Sequence, residues 1–217
     1  MPIANPTPRT IVKRRAQRGV YDHAVILRIL DEALVCHVGF VVDGEPFVLP
    51  TAYARIGDHL YLHGSASSRM LRTGKGGAGV CVTVTLLDGL VLARSAFHHS
   101  MNYRSVVLLG VAAEVVDPGE KRAALRALVE HVAPGRYASV RPPTDDEITR
   151  TLVLRLPIDE GSAKVRSGPP IDDEDDYARP VWAGVIPLEL RSGAPVPDPR
   201  LDPGCATARW AAAYARG

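Results

Sequence analysis

The stretch VCHVGFVVDGEPFVLPTAYARIGDHLYLH, residues 35–63, decides the fold. VCHVGFVV (35–42) and EPFVLPTAYARI (45–56) are rich in β-branched and aromatic residues. They flank Asp43-Gly44, a pair that favours the left-handed backbone of a two-residue hairpin turn. DHLYLH (58–63) follows through Gly57-Asp58. Strands joined by such tight turns predict an antiparallel meander. Further along, GVCVTVTLLD (79–88) and GLVLARSAF (89–97) read as a second hairpin around Asp88-Gly89. YRSVVLLGVAAEVV (103–116) reads as a long strand that Gly110 bends. TRTLVLRLPI (149–158), SAKVRSG (162–168) and VWAGVIPLEL (181–190) supply further strands.

Helical spacing is confined to fewer places. YDHAVILRILDEA (21–33) carries a stripe at Val25, Ile26, Ile29 and Leu30. Residues 66–75 predict a short helix ending in the glycines from Gly74 to Gly77. DPGEKRAALRALVEHV (117–132) has Asp117 as cap, Pro118 in the first turn and Glu120 three residues past the cap. Strands dominate and hairpins connect them. The expected fold is mainly β (α+β): a small six-stranded antiparallel β-barrel with peripheral helices. Strand and helix do not alternate, and no GxGxxG follows the first strand. GKGGAG (74–79) lacks the Lys-Ser/Thr of a nucleotide P-loop. A doubly wound nucleotide-binding sheet is therefore not expected. The chain divides into a basic arm (1–20), one domain (21–190) and a Pro-rich arm (191–217).

Composition narrows the function classes. The 217 residues carry 26 basic and 24 acidic side chains, a net charge of +2 that gives no reason to expect a nucleic-acid partner. The charge is uneven: Arg9, Lys13, Arg14, Arg15 and Arg18 precede the first acid, and Asp172 to Asp176 form an acidic run read as an exposed loop. No stretch approaches the ~20 apolar residues of a membrane helix, and the N-terminus lacks the apolar core of a signal peptide. Cys36, Cys81 and Cys205 lie far apart without a CxxC, so no zinc site or thiol pair is expected, and the compartment is read as cytoplasmic.

The chemistry concentrates in YLHGSASSRMLR, residues 61–72. A strand ends on His63. Small residues and hydroxyls follow, and a helix opens near Ser67-Ser68-Arg69. Hydroxyls, free backbone N–H groups and an arginine predict a phosphate cradle. A second cluster, His98-His99 with Ser100 and Asn102, is read as pocket-lining or iron-ligating. Adjacent histidines on a continuing strand would point to opposite faces.

These pieces together resemble the pyridoxamine 5'-phosphate oxidase-like split-barrel flavoproteins, in the branch related to nitroimidazole reductases. The resemblance rests on a leading helix, CHVGFVVDGEPFVLPTAYARIGDHLYLHGSASSRMLR, VCVTVTLLD and YRSVVLLGVAAEVVDPGEKRAALRALVEH, in that order. It implies a homodimer with an FMN site at the subunit interface. Val48, Leu49, Pro50, Thr51 and Ala52 would run along the flavin, with backbone groups meeting its pyrimidine edge. His63, Gly64 and Ser65 would lie beside the ring, and Ser67, Ser68 and Arg69 would take the phosphate. Met70 stands where relatives often carry lysine. Arg104, flanked by Tyr103 and Ser105, or an N-terminal arginine would then supply the missing charge. The resemblance implies an oxidoreductase passing electrons from a reduced nicotinamide, NAD(P)H, through FMN to a small molecule, with His63 or His98 as proton donor. A deazaflavin is the alternative cofactor. Haem held by His98 or His99 is another, and a non-catalytic flavin-binding module is a further reading.

Overall fold

The computed structural model describes residues 6–202 and 204–214. Ten strands form one antiparallel sheet: β1 (Gly19–Val20), β2 (Val35–Val42), β3 (Glu45–Ile56), β4 (His59–Ser65), β5 (Gly79–Leu92), β6 (Ser100–Val111), β7 (Ala113–Glu114), β8 (Thr151–Pro157), β9 (Gly161–Arg166) and β10 (Gly184–Pro187). The order across the sheet is β1-β9-β6-β5-β2-β3-β4-β8-β7, with β10 on β5. The six-strand expectation is thus too small. The hydrogen-bonded path is also open rather than closed. The sheet coils instead, so that Leu108 on β6 and Leu154 and Leu156 on β8 share one core with Val38, Tyr53, Leu62 and Val82. Gly110 permits this approach: a Cβ there would stand 2.8 Å from Leu156 Cδ1.

The local signals set most element ends. Asp43 (φ 51°) and Gly44 (φ 83°) make the left-handed turn between β2 and β3, whose eight paired residues keep the alternation in register. Helix α1 (His23–Glu32) starts on the Asp22 carboxylate, which accepts from Val25 N, and buries Ile26, Ile29 and Leu30. Helix α2 spans Arg69–Lys75. Helix α3 (Pro118–Val132) begins as its sequence predicts, with Asp117 accepting from Glu120 N at 2.7 Å. A capping box opens α4 (Asp145–Arg150), and α5 (Arg209–Ala212) lies near the C-terminus.

One hairpin expectation fails. Residues 79–92 form a single strand that runs through Asp88-Gly89 with only a register shift between Leu87 and Gly89. Long-range pairing overrides the local turn signal there. β6 continues alongside, and β10 docks so closely that a Cβ on Gly89 would meet the Ile186 carbonyl at 3.0 Å. Trp182 is 65% exposed, with its ring against Gly184. The arms are not loose. Arg9 and Thr7 hold Glu160, and the Tyr214 hydroxyl donates to the Val132 carbonyl at the end of α3.

Candidate functional site

β3 pairs with β2 over Glu45–Ala52 but with β4 only over Tyr53–Ile56. Beyond Tyr53↔Leu62 the two strands part, and β4 carries His63, Gly64 and Ser65 away to pair with β8. The split leaves one edge of Glu45–Ala52 without a strand. That open edge, with Leu49 42% exposed on it, and the Arg69 side chain that reaches Phe47 on the same strand define a candidate cleft between β3 and the β4–α2 turn. Of the sequence-predicted residues, Leu49, Pro50, Thr51 and Ala52 lie on β3, and His63, Gly64, Ser65, Ser68 and Arg69 on β4, the turn and the start of α2. Ala52 and His63 line one cavity together.

The Arg69 guanidinium lies 4.6 Å above the Phe47 ring, which stacks on Phe40. It has no acidic partner among the described residues, so its charge is free for an anion. The Ser65 and Ser67 hydroxyls share a 2.8 Å hydrogen bond, and Ser68 Oγ caps α2 by accepting from Leu71 N. Helix α2 has seven residues, too few to add much dipole. Arg69 and the hydroxyls carry whatever anion affinity the cleft has.

Tyr103, Arg104 and Ser105 do not join this cleft. They lie on β6, which β5 and β2 separate from β3. Arg104 is held between Asp88 and Glu32, and these contacts raise its pKa above the usual arginine value. A guanidinium committed to two carboxylates has no charge left for a phosphate. The expectation for Arg104 is corrected on that ground. Ser105 donates to the Lys164 carbonyl. His98 also lies elsewhere, pairing with Asp173 at 3.1 Å, and His99 Nδ1 meets the Ser95 carbonyl at 2.9 Å.

His63 lies on the α3 side of the sheet. Alternation along β4 turns Leu60 and Leu62 into the core and Tyr61 and His63 to the opposite face, beneath α3. There, His63 and Ala52 line a cavity of about 650 Å³ with Leu125, Leu128, Val129 and Val132 of α3. Neither ring nitrogen of His63 has a hydrogen-bond partner among the described residues, and Nδ1 is shut off from solvent. Burial lowers its pKa, so the imidazole is held neutral. Arg136 and the Arg141–Glu147 ion pair complete the lining. Arg136 stacks on Trp210 of the C-terminal segment at 5.2 Å. The site is thus a polar-edged cleft joined, through Ala52 and His63, to an apolar chamber holding one neutral histidine. Helix α3 was legible in the sequence from its cap; that it would cover His63 was not, because about sixty residues separate the two.

A scan against family models matches residues 22–165 to the pyridoxamine 5'-phosphate oxidase model. Among solved structures, the flavocytochrome Anf3 from Azotobacter vinelandii is 43% identical, with a TM-score of 0.92 over 98% of this chain and 99% of its own. A FAD- and haem-binding protein from Mycobacterium smegmatis is 37% identical, with a TM-score of 0.85 over 89% of this chain and 95% of its own. A putative 5-nitroimidazole antibiotic resistance protein from Bacteroides thetaiotaomicron is 27% identical, with a TM-score of 0.56 over 68% and 86%. A comparison with curated proteins finds no match. The coiled antiparallel sheet, the split between β3 and β4, and a family match spanning both agree: the chain belongs to the pyridoxamine 5'-phosphate oxidase-like family.

Proposed function

We propose that this protein is a homodimeric flavin- and haem-binding electron carrier, an oxidoreductase of flavocytochrome type. The observation that carries the reading is His63: a neutral imidazole without a hydrogen-bond partner, in an apolar chamber of about 650 Å³. Chambers of roughly 300–1,000 Å³ are the usual size of cofactor sites. A neutral imidazole lining an apolar cavity suits iron, and Arg136 in the same lining suits a carboxylate side arm. The two relatives named for haem support the same assignment. This moves the haem ligand from His98-His99, whose cavity is polar and basic, to His63.

The flavin belongs in the cleft. The free edge of β3 offers backbone donors and acceptors to a ring edge, and Arg69 takes a phosphate. FMN was the expectation; the M. smegmatis relative is named for FAD. When bound, the two groups supply hydride acceptance and one-electron transfer. The chain's own part is to hold them on either side of β4, exclude water from the chamber with α3, and keep His63 unprotonated. A reduced nicotinamide is the proposed donor.

The dimer reading rests on the sheet's outer face. Register places Val48, Gly39, Cys81 and Leu109 in one row across four strands. Val41 (55% exposed), Val48 (64%) and Val111 (55%) lie on that face, which is apolar and suited to a second copy of itself.

The visible spectrum of the purified protein, before and after haemin is added, tests the proposal. Flavin bands with a Soret band that His63→Ala abolishes are the expected result. A Soret band unchanged in His63→Ala, or no haemin uptake, overturns the haem assignment. Absence of flavin after reconstitution overturns the flavin assignment separately.

A further inference from the structure

A second cavity, of about 660 Å³, opens on the side of the sheet where the basic arm crosses β9. Arg14, Arg15, Arg18, Lys164 and Arg166 line it. Its two carboxylates are already committed: Asp172 to Arg94, and Asp173 to His98. None of the five cations has an acidic partner among the described residues. Arg166 is the decisive group. It is 7% exposed, and its terminal nitrogens reach only neutral oxygens of Asn102, Gly168 and Pro169. Its Nε is buried with no partner at all. Burial and the adjacent Arg18 charge depress its pKa, which marks an uncompensated buried cation. A folded chain does not leave such a charge beside a second guanidinium without an anion to meet it. Above this floor, Phe97 is 89% exposed and Ile171 72% exposed, and Phe97 stands edge-on to His98. An apolar rim over a cationic floor matches a flat base joined to a chain of phosphates.

We propose that this cavity binds a nucleoside diphosphate group, the phosphates on Arg18 and Arg166 and the base against Phe97. The site does not depend on the haem assignment; the identity of its dinucleotide rests on the flavin reading above. Two sources share the chemistry: a free dinucleotide such as the reduced nicotinamide donor, or the ADP half of a bound FAD.

The test is calorimetric titration of the as-purified protein with ADP and, separately, with adenosine, at low and high salt. It is repeated on Arg18→Glu and on Arg166→Lys, a change that keeps the charge but loses the planar fork. Flavin type and content are read from the same samples. ADP that binds the wild type at least about tenfold more tightly than adenosine, and is weakened about tenfold or more by Arg18→Glu, supports a free dinucleotide. ADP that binds only after flavin is removed, together with FAD lost from Arg18→Glu while added FMN is retained, supports the FAD source. The proposal is overturned if ADP binds neither the as-purified nor the flavin-stripped protein. It is equally overturned if Arg18→Glu and Arg166→Lys change neither ADP affinity nor FAD retention. Because FMN retention is read independently, failure here is distinct from failure of the flavin cleft.

Discussion

Replacing His63 with leucine, a side chain of similar bulk, should move stability in opposite directions with and without haem. In the haem-free protein Nδ1 of His63 is shielded from water and unpartnered. Leaving such a group unsatisfied costs about 1–3 kcal/mol, and the partial exposure of the ring to the chamber places His63 at the lower end. Leucine removes that cost and adds apolar contact with the α3 residues Leu125, Leu128 and Val129. The haem-free variant should therefore gain about 1 kcal/mol, which for a chain of this size raises Tm by about 2–4 °C. With haemin at about a hundred times its Kd, the wild type should gain about 2.7 kcal/mol by linkage, and the variant should gain almost none. The ranking of the two proteins then reverses. Scanning calorimetry of flavin-loaded samples with and without haemin reads all four values. A haem-free variant less stable than the wild type would refute the account of His63 as an unsatisfied group. Equal haemin stabilisation in both would refute its role as the iron's ligand.

Arg69→Ala should weaken flavin binding by about ten- to a hundredfold, the range of a lost charge-assisted hydrogen bond, whereas Arg104→Ala, which frees only Asp88 and Glu32, should leave flavin content unchanged in a fluorescence titration. Val48→Asp with Val111→Asp should yield a monomer by light scattering, since both charges would fall on the exposed apolar face. Gly161→Ala should destabilise by about 1–3 kcal/mol, because the new Cβ would stand 2.9 Å from the Val107 carbonyl; a Tm within 1 °C, by the same ~2–4 °C per kcal/mol, would contradict the close approach. The Glu147 carboxyl is held at about 2 rather than 4.5, first by Arg141 and then by the Thr144 N–H. Its folded pKa is depressed, so its contribution is complete above pH 4.5 and is lost as pH falls from 4.5 towards 2. Glu147→Gln should flatten the acid limb of the stability curve in that window, lowering stability at neutral pH and leaving it unchanged below about pH 2.

Most of the elements were written locally. The β2–β3 hairpin follows from Asp43-Gly44 between alternating runs, and α1 and α3 follow from their caps and apolar stripes. The candidate cofactor residues, Leu49 to Ala52 and His63 to Arg69, were named from the family resemblance and from the hydroxyl- and arginine-bearing helix start, both of which are local in the sequence. The sequence alone did not determine what those residues meet. Asp88-Gly89 carries a turn signal, yet β6 and β10 flank it and the strand runs on. Arg104 resembles a phosphate ligand until Glu32, at the end of α1, and Asp88, within β5, neutralise it. His63 became a candidate iron ligand only when α3 covered it, and Arg166 a candidate anion ligand only when the N-terminal arm brought Arg18 alongside. Propensity and caps depend on neighbours in the chain. Burial, charge compensation and the unpaired edge of β3 depend on neighbours in space, and those are set by the coiling of the whole sheet.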